Sequence, residues 1–282
     1  MQKPQAPQES EQKSTIANRG VLFFCFDNGL VDYAKITALA IKKVKENLDL
    51  PVTVVSNKVD LDIGQDSLVV YEGYEENSTT RYFHEYRETY PWYNRGRELS
   101  LEFTPYRHTI VLDVDYLVLG PTLLKYIDLD LAISRSLWDI GSPLFSAKRS
   151  FGLLQVPMYY ATVMVFDKEA APAKAFFKAM RKVADDWQYY AVIFGLDPKL
   201  YRNDYVASIA MYLIDEYRWS RDYDLPVTLV NAPPQAEVHG LEKNSVWVTP
   251  GQDKPPVQVT RDLHVSNKKS LEELTEEHQW TT

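Results

Sequence analysis

Two aspartates stand one residue apart after an apolar run in the segment HTIVLDVDYLVLG, residues 108–120. An unpaired carboxylate is costly to bury, so Asp113 and Asp115 need a partner if they lie this close to a core. On an extended backbone, side chains two residues apart point the same way, so both acids could reach one hard cation such as Mg²⁺ or Mn²⁺. An isolated Asp-x-Asp also recurs by chance, with one acid capping a helix and the other solvated.

A second group of residues that could do chemistry lies in DLHVSNKKSL, residues 262–271. His264 offers a neutral nitrogen ligand, and Lys268 offers an ammonium that can sit on a phosphate. A histidine alone is more often an ordinary surface or core residue. Together with the distant Asp-x-Asp, it predicts a metal and phosphate site.

Strand and helix patterns alternate along the chain and predict the elements that carry these residues. The continuous apolar run VLFFCFDN is typical of a strand buried on both faces of a parallel sheet. The next segment, YAKITALAIKKVKENL, keeps one apolar helical face, and Pro51 opens the strand VTVVSN. Further strands are predicted in SLVVYEG, DLAISRSL, ATVMVFDK, VQVT, PVTLVN and SVWV, with helices around residues 94–103, 176–187 and 206–217. The count of units predicts an α/β, doubly wound sheet, in which ligands bind outside the carboxyl ends of strands such as IVLDVD.

Composition sets the remaining bounds. The 282 residues are 45% hydrophobic and 13% aromatic, which is enough for a sizeable core. The net charge of -8 leaves any nucleic-acid contact to a local patch, and the single Cys25 suits a reducing compartment. With no apolar run as long as a membrane span and no signal peptide, we expect a cytoplasmic protein. We predict a mobile tail over residues 1–19, one domain over residues 20–269, and a C-terminal tail or short helix over residues 270–282.

The first strand, the Asp-x-Asp and the late His-x-x-x-Lys resemble the GT-A fold glycosyltransferases, especially the retaining glycogenin-like enzymes, over about residues 21–268. The resemblance implies a single Rossmann-like domain with a mainly parallel mixed sheet flanked by helices. It implies that Asp113, Asp115 and His264 hold Mn²⁺ or Mg²⁺ and that Lys268 neutralises the donor diphosphate. Donor-binding roles are implied for Asp27, Asn28, Tyr33 and Arg97.

The resemblance also implies the reaction. A hexosyl or pentosyl group would pass from a nucleoside-diphosphate sugar, most simply a UDP-sugar, to a hydroxyl acceptor with retention of configuration. The segment RNDYVAS resembles an acidic segment that contacts the acceptor or the reacting sugar, which makes Asp204 the catalytic candidate. The other interpretation of Asp204 is an N-cap of the following helix.

The chain is similar to glycosyltransferase-like proteins of large tailed bacteriophages, some of whose relatives glycosylate hydroxymethylated pyrimidines in DNA. That similarity implies a DNA acceptor and, for a phage protein, the host cytoplasm. A long loop over residues 138–157 then predicts a positive rim formed by Arg135, Lys148 and Arg149. Competing acceptors are a glycan, a lipopolysaccharide or a protein. Hypotheses of another class are a magnesium-dependent nucleotidyltransferase and a non-catalytic sugar-nucleotide-binding protein. The sequence does not fix the oligomeric state.

Overall fold

The structure of the chain is a computed structural model that describes residues 18–76, 78–142, 150–216, 218 and 222–279. Most of the predicted N-terminal tail lies outside these residues. The described strands are β1 (Arg19–Cys25), β2 (Val52–Ser56), β3 (Ser67–Val70), β4 (Thr79–Phe83), β5 (Glu88–Trp92), β6 (His108–Leu112), β7 (Tyr116–Leu117), β8 (Leu131–Asp139), β9 (Ser150–Phe151), β10 (Val156–Pro157), β11 (Tyr160–Asp167), β12 (Asp224–Ala232), β13 (Glu237–His239), β14 (Val246–Thr249), β15 (Val257–Val259) and β16 (Leu263–Val265). The described helices are α1 (Tyr33–Leu48), α2 (Ser100–Phe103), α3 (Ala171–Asp185), α4 (Trp187–Ile193), α5 (Asn203–Ile214) and α6 (Lys268–Gln279).

One nine-stranded sheet organises the molecule, in the order β3-β2-β1-β6-β11-β8-β12-β16-β7. Strands β3, β2, β1 and β6 run parallel to one another, and so do β8, β12 and β16. Strand β11 is antiparallel to both of its neighbours, and β7 is antiparallel to β16. The predicted α/β class, a mainly parallel mixed sheet flanked by helices, is therefore confirmed.

The predicted strand-helix-strand unit at the start of the chain is confirmed. Strands β1 and β2 pair in parallel, and α1 between them covers Tyr33–Leu48. The Asp32 side chain caps this helix by accepting a hydrogen bond from the Lys35 backbone N–H at 3.0 Å. The apolar side chains of Ile36, Ala40 and Val44 are fully buried, as their spacing on one helical face requires.

Helices α3 and α5 pack together in an apolar cluster that is separate from those containing the buried residues of α1. Phe176 and Met180 of α3 and Val206 and Ile209 of α5 are completely buried. The predicted helix near residues 94–103 is instead a 3₁₀ turn, Arg97–Leu99, followed by the short α2. Within the described residues, no helix is long and apolar enough to cross a membrane. Cys25 is free and buried.

The predicted strand VQVT is confirmed as β15, which belongs to a separate three-stranded sheet, and His264 follows it in β16 of the main sheet. The hairpin formed by β4 and β5 was not predicted at all. It depends on pairing between strands, which hydrophobic periodicity does not reveal.

Asp262 links the strand that carries His264 to the chain leaving β7. Asp262 is only 7% exposed, and its Oδ1 accepts hydrogen bonds from the backbone N–H groups of Leu119 and Gly120, at 2.8 and 3.2 Å. Burial raises the pKa of Asp262 to about 6, although these two donors oppose the shift. A group whose pKa is raised on folding contributes stability below its unfolded pKa, and this contribution is lost as the pH rises through the folded value.

We predict that Asp262→Asn removes this pH dependence. Because the folded pKa of about 6 lies well above the ordinary value of 3.8, the wild type should lose roughly 3 kcal/mol relative to the variant between about pH 3 and pH 7. Urea unfolding of both proteins at the two pH values measures the difference. Asp128→Asn, at a side chain that is 55% exposed, is the control. An Asp262→Asn difference that is the same at both pH values would contradict the prediction.

Candidate metal centre

Asp113 and Asp115 follow β6, a central strand of the main sheet. The chain turns here, because the Tyr116 N–H donates to the Asp113 carbonyl at 3.0 Å, whereas the sequence analysis expected an extended segment. The Asp113 N–H donates to the Thr162 carbonyl, also at 3.0 Å, which fixes the turn against β11. Asp115 is buried and Asp113 half-buried. Both acids therefore lie at the carboxyl end of the strand, as predicted.

His264 is oriented by a row of residues that stand in register on neighbouring strands. Asn231 of β12 pairs with Asp139 of β8 on one side and with His264 of β16 on the other. The Asn231 amide nitrogen donates to the Asp139 carboxylate at 3.2 Å, which directs the amide oxygen to His264 Nδ1 at 2.7 Å. Nδ1 must then carry the proton, so Nε2 keeps a lone pair.

The three residues predicted to hold a metal come together. One ligand atom from each of Asp113, Asp115 and His264 lies within 4.8 Å of the other two. His264 Nε2 is 3.3 Å from Asp115 Oδ2 and 4.0 Å from Asp113 Oδ2. Carboxylates suit Mg²⁺ or Mn²⁺, and the free nitrogen of an imidazole is a common ligand of divalent metals, so the residues fit a divalent cation.

Each aspartate also has a cation beside it. Lys268 Nζ contacts the Asp115 carboxylate, and Arg97 contacts that of Asp113. Burial alone would raise the pKa of Asp115, but the positive charge of Lys268 beside it outweighs burial and holds this pKa well below its usual range. The carboxylate is therefore ionised, the form that binds a metal.

Lys268 differs from its predicted environment. It is 7% exposed and also donates to the Val265 carbonyl at 3.1 Å, whereas the sequence suggested a phosphate contact in an open cleft. Loss of the Asp115 charge would leave this ammonium buried without its main partner. A substitution at Asp115 would therefore disturb the fold as well as the site.

The metal group opens into a cavity, and most of the predicted donor-binding residues line it. Asn28, Tyr33, Arg97 and Lys268 all contribute to its wall. Asp27 is not among the lining residues; its carboxylate forms an ion pair with Lys58 at 2.6 Å. Remaining members of the wall include Phe24, Phe26, Arg81, Trp92, Tyr93, Asn94, Thr162, Arg202, Asn203, Asp204 and Ser266.

Arg97 owes its position to a glycine. Gly96 has φ of +115°, and a Cβ atom there would lie 3.1 Å from the Phe24 ring. The following guanidinium packs 5.7 Å from the centre of that ring and reaches Asp113. Only glycine permits this turn without strain.

Asn28 supports the cavity through its own hydrogen bonds. Its amide nitrogen donates to the Pro91 carbonyl at 3.0 Å, and its oxygen accepts from the backbone N–H groups of Leu30 and Val31. Tyr33, by contrast, has a phenol whose pKa is raised by burial and by the nearby charge of Asp115.

Asp204 lies in the first turn of α5 and does not cap it, since Arg202 is the N-cap residue. Asp204 Oδ1 accepts a hydrogen bond from the Ala161 N–H at 3.0 Å, and Oδ2 accepts from Arg202 at 3.0 Å. The N-cap interpretation is therefore wrong, and the carboxylate is fixed in the cavity wall.

Of the three residues in the predicted positive rim, the structure describes only Arg135. Arg135 lies within β8, where it contacts Asp224 at 3.3 Å and stacks over Tyr159 at 5.5 Å, and it is not among the lining residues. Lys148 and Arg149 lie outside the described residues. Arg135 is therefore a residue of β8 that is paired with Asp224 on the neighbouring strand β12.

Sequence reasoning missed Asn231, Arg202, Arg81 and Trp92. Arg202 stood in the quoted segment RNDYVAS. The segments TTRYF and ETYPW, which form the hairpin that carries Arg81 and Trp92, show no regular alternation of apolar and polar residues. Nothing local marked Asn231, because its role depends on strand register.

Comparisons with known proteins find only distant structural similarity. No protein-family model and no curated protein sequence matches the chain. Among solved structures, galactosyltransferase LgtC in complex with donor and acceptor sugar analogues is 12% identical, with 93% of this chain and 96% of that chain covered and a TM-score of 0.46. Glycosyltransferase GlyE of Streptococcus pneumoniae TIGR4 is 12% identical, with 74% and 52% covered and a TM-score of 0.41. The PaToxG glycosyltransferase is 10% identical, with 73% of each chain covered and a TM-score of 0.37. The chain thus spans about half the length of GlyE.

We predict that Asn231→Ala weakens Mn²⁺ binding about 10- to 100-fold, because the imidazole loses the partner that fixes its tautomer and ring orientation. Calorimetric titration of Mn²⁺ into the protein measures the effect. Asn47→Ala removes an amide that donates to the Val118 carbonyl, away from the cavity, and should leave Mn²⁺ affinity unchanged. Equal affinities of the wild type and Asn231→Ala would show that Asn231 does not position the ligand.

Proposed function

We propose that the protein is a divalent-metal-dependent glycosyltransferase of the GT-A type that uses a nucleoside-diphosphate sugar, most simply a UDP-sugar. The observation that carries this proposal is the convergence of Asp113, Asp115 and His264 in one cavity, at the carboxyl end of a central strand. Such a group suits a cation that bridges to phosphate oxygens. The hexosyl or pentosyl class of the sugar, the choice of Mn²⁺ or Mg²⁺, and retention of configuration remain predictions from the resemblance.

The leaving group of this reaction is a nucleoside diphosphate, on which negative charge grows as the bond to the sugar breaks. The divalent cation, when bound, would supply electrophilic stabilisation of that charge. Lys268 keeps the Asp115 carboxylate ionised, and Arg97 contacts that of Asp113. We propose Lys268 as a further stabiliser of the leaving diphosphate. This chemistry needs no protein acid, because the diphosphate leaves without protonation.

Other residues of the cavity wall are proposed to meet the sugar, the acceptor and the nucleoside. Asp204 is held there by Ala161 and Arg202, so its carboxylate has one fixed position. Tyr33 lies in the cavity wall and is the proposed contact for the donor nucleoside. Asp27, paired with Lys58, has no proposed direct contact with the donor.

The acceptor is proposed only as a hydroxyl compound. A hydroxymethylated pyrimidine in phage DNA remains one candidate, beside a glycan, a lipopolysaccharide and a protein. The interaction of Arg135 with Asp224 gives the DNA candidate no support. Mass spectrometry of products from a panel of donors and acceptors, including hydroxymethylcytosine DNA at low and high salt, would identify the acceptor. Transfer to DNA through phosphate contacts should fall steeply as salt rises.

We predict that the wild type releases UDP from at least one UDP-sugar in the presence of Mn²⁺ or Mg²⁺ and that chelation abolishes the release. Asp113→Asn should slow release by about 100-fold or more, since a metal ligand is lost. We choose Asp113 because it is half-buried, whereas Asp115 supports the buried Lys268. Asp128→Asn, at an exposed acid paired with Arg19, is the matched control.

Two outcomes would contradict the proposal. Release of pyrophosphate from a nucleoside triphosphate, with UDP-sugars left intact, would identify a nucleotidyltransferase. Tight binding of UDP-sugars without hydrolysis or transfer to any acceptor would identify a non-catalytic binding protein.

A further inference from the structure

The hairpin of β4 and β5 presents one face to the cavity. Its register pairs Thr79 with Trp92 and Arg81 with Tyr90. Side chains alternate along a strand, so Arg81 and Trp92 lie diagonally on the same face. The Arg81 guanidinium lies 5.1 Å from the centre of the Trp92 ring, and both residues line the cavity. Arg81 therefore stacks on Trp92 within a hairpin that is not part of the main sheet.

Both strands of the hairpin are anchored close to Arg81. Phe83, two residues further along β4, is only 2% exposed and belongs to the apolar cluster that includes residues of α6. On β5, the Pro91 carbonyl accepts the Asn28 amide at 3.0 Å. At the turn, Glu85 accepts a hydrogen bond from the Lys268 N–H at 3.4 Å. Arg81 is thus carried by a backbone that is fixed on either side of it.

The charges of the cavity wall single out Arg81. Four Lys or Arg residues and three carboxylates line the cavity. Each carboxylate already contacts one cation, and the pairs are Arg97 with Asp113, Lys268 with Asp115, and Arg202 with Asp204. Arg81 forms no ion pair with any carboxylate of the described residues and is exposed to solvent. Its positive charge is left over for a ligand.

We propose that Arg81 binds the diphosphate of the nucleotide, an inference that rests on the proposed function. A guanidinium presents a planar fork of donors that matches two phosphate oxygens, and stacking on Trp92 restricts its orientation before the ligand arrives. Both residues share the cavity with the metal group, so one ligand can reach the cation and the arginine together. The predicted phosphate ligand, Lys268, is by contrast in contact with Asp115.

The test is calorimetric titration of UDP, uridine and inorganic pyrophosphate into the full chain with Mn²⁺ present. Arg81→Ala should weaken UDP and pyrophosphate binding about 10- to 100-fold, the loss expected for a hydrogen-bonded charge pair. Uridine affinity should not change. Arg81→Lys, which keeps the charge but not the fork, should recover part of the loss.

Arg87→Asn is the matched control. Arg87 lies in the turn of the same hairpin, is exposed and has φ of +57°, a conformation that asparagine tolerates. Its loss should leave all three affinities unchanged, whereas a general effect of hairpin charge would lower them as in Arg81→Ala.

The possible failures are distinguishable. Wild-type affinity of Arg81→Ala for UDP and pyrophosphate would overturn the role of Arg81 and leave the proposed function intact. Equal losses in Arg87→Asn and Arg81→Ala would also overturn it, because the effect would not depend on the cavity. A wild type that binds neither UDP nor pyrophosphate would overturn the proposed function and, with it, this inference.

Discussion

The buried contact between Asp115 and Lys268 is the interaction on which the candidate site depends. The two residues are 5% and 7% exposed, and either charge alone would be costly to bury. Asp115 follows the central strand β6, whereas Lys268 begins α6, so the contact joins the middle of the chain to its last described helix. Because Lys268 holds the pKa of Asp115 low against the effect of burial, the acid can be buried and remain ionised only when this helix is in place. The candidate metal group therefore depends on α6 as well as on the Asp-x-Asp pair.

Strand register is the second constraint, and it decides what His264 can do. The ring nitrogen that faces the aspartates is free because the other nitrogen meets Asn231, whose own amide is fixed by Asp139. These side chains belong to β16, β12 and β8, three strands that are separated widely in sequence and meet only in the sheet. A slip of one residue between β12 and β16 would turn His264 to the other face. Asp262, bonded to the chain after β7, holds β16 from the other side.

Features that depend on local sequence could be predicted, whereas features that depend on pairing between distant strands could not. The strand-helix-strand unit at the start depends on local periodicity and one cap at Asp32, so its helix bounds were predicted correctly. The approach of His264 to Asp113 and Asp115 was also predicted, because the residue types limit what they can do together. Long-range pairing left no local mark, which is why the burial of Lys268 and the position of Arg135 beside Asp224 were not foreseen. The β4–β5 hairpin was missed for a related reason: its polar residues and Pro91 conceal the alternation of its strands.

The paired charges of the cavity imply that cation and anion binding are coupled. Arg97 and Lys268 neutralise the two aspartates in the structure. A divalent ion bound by Asp113, Asp115 and His264 would neutralise part of the same negative charge. The positive charge released in this way has no other carboxylate to meet in the cavity wall, since Asp204 is paired with Arg202. A phosphate-bearing ligand would therefore bind more tightly once the cation is present. By thermodynamic linkage, the phosphate-bearing ligand must increase the affinity for the cation by the same factor. In such a site, cation binding and anion binding strengthen each other. Arg81 of the hairpin adds a further positive charge for the anion.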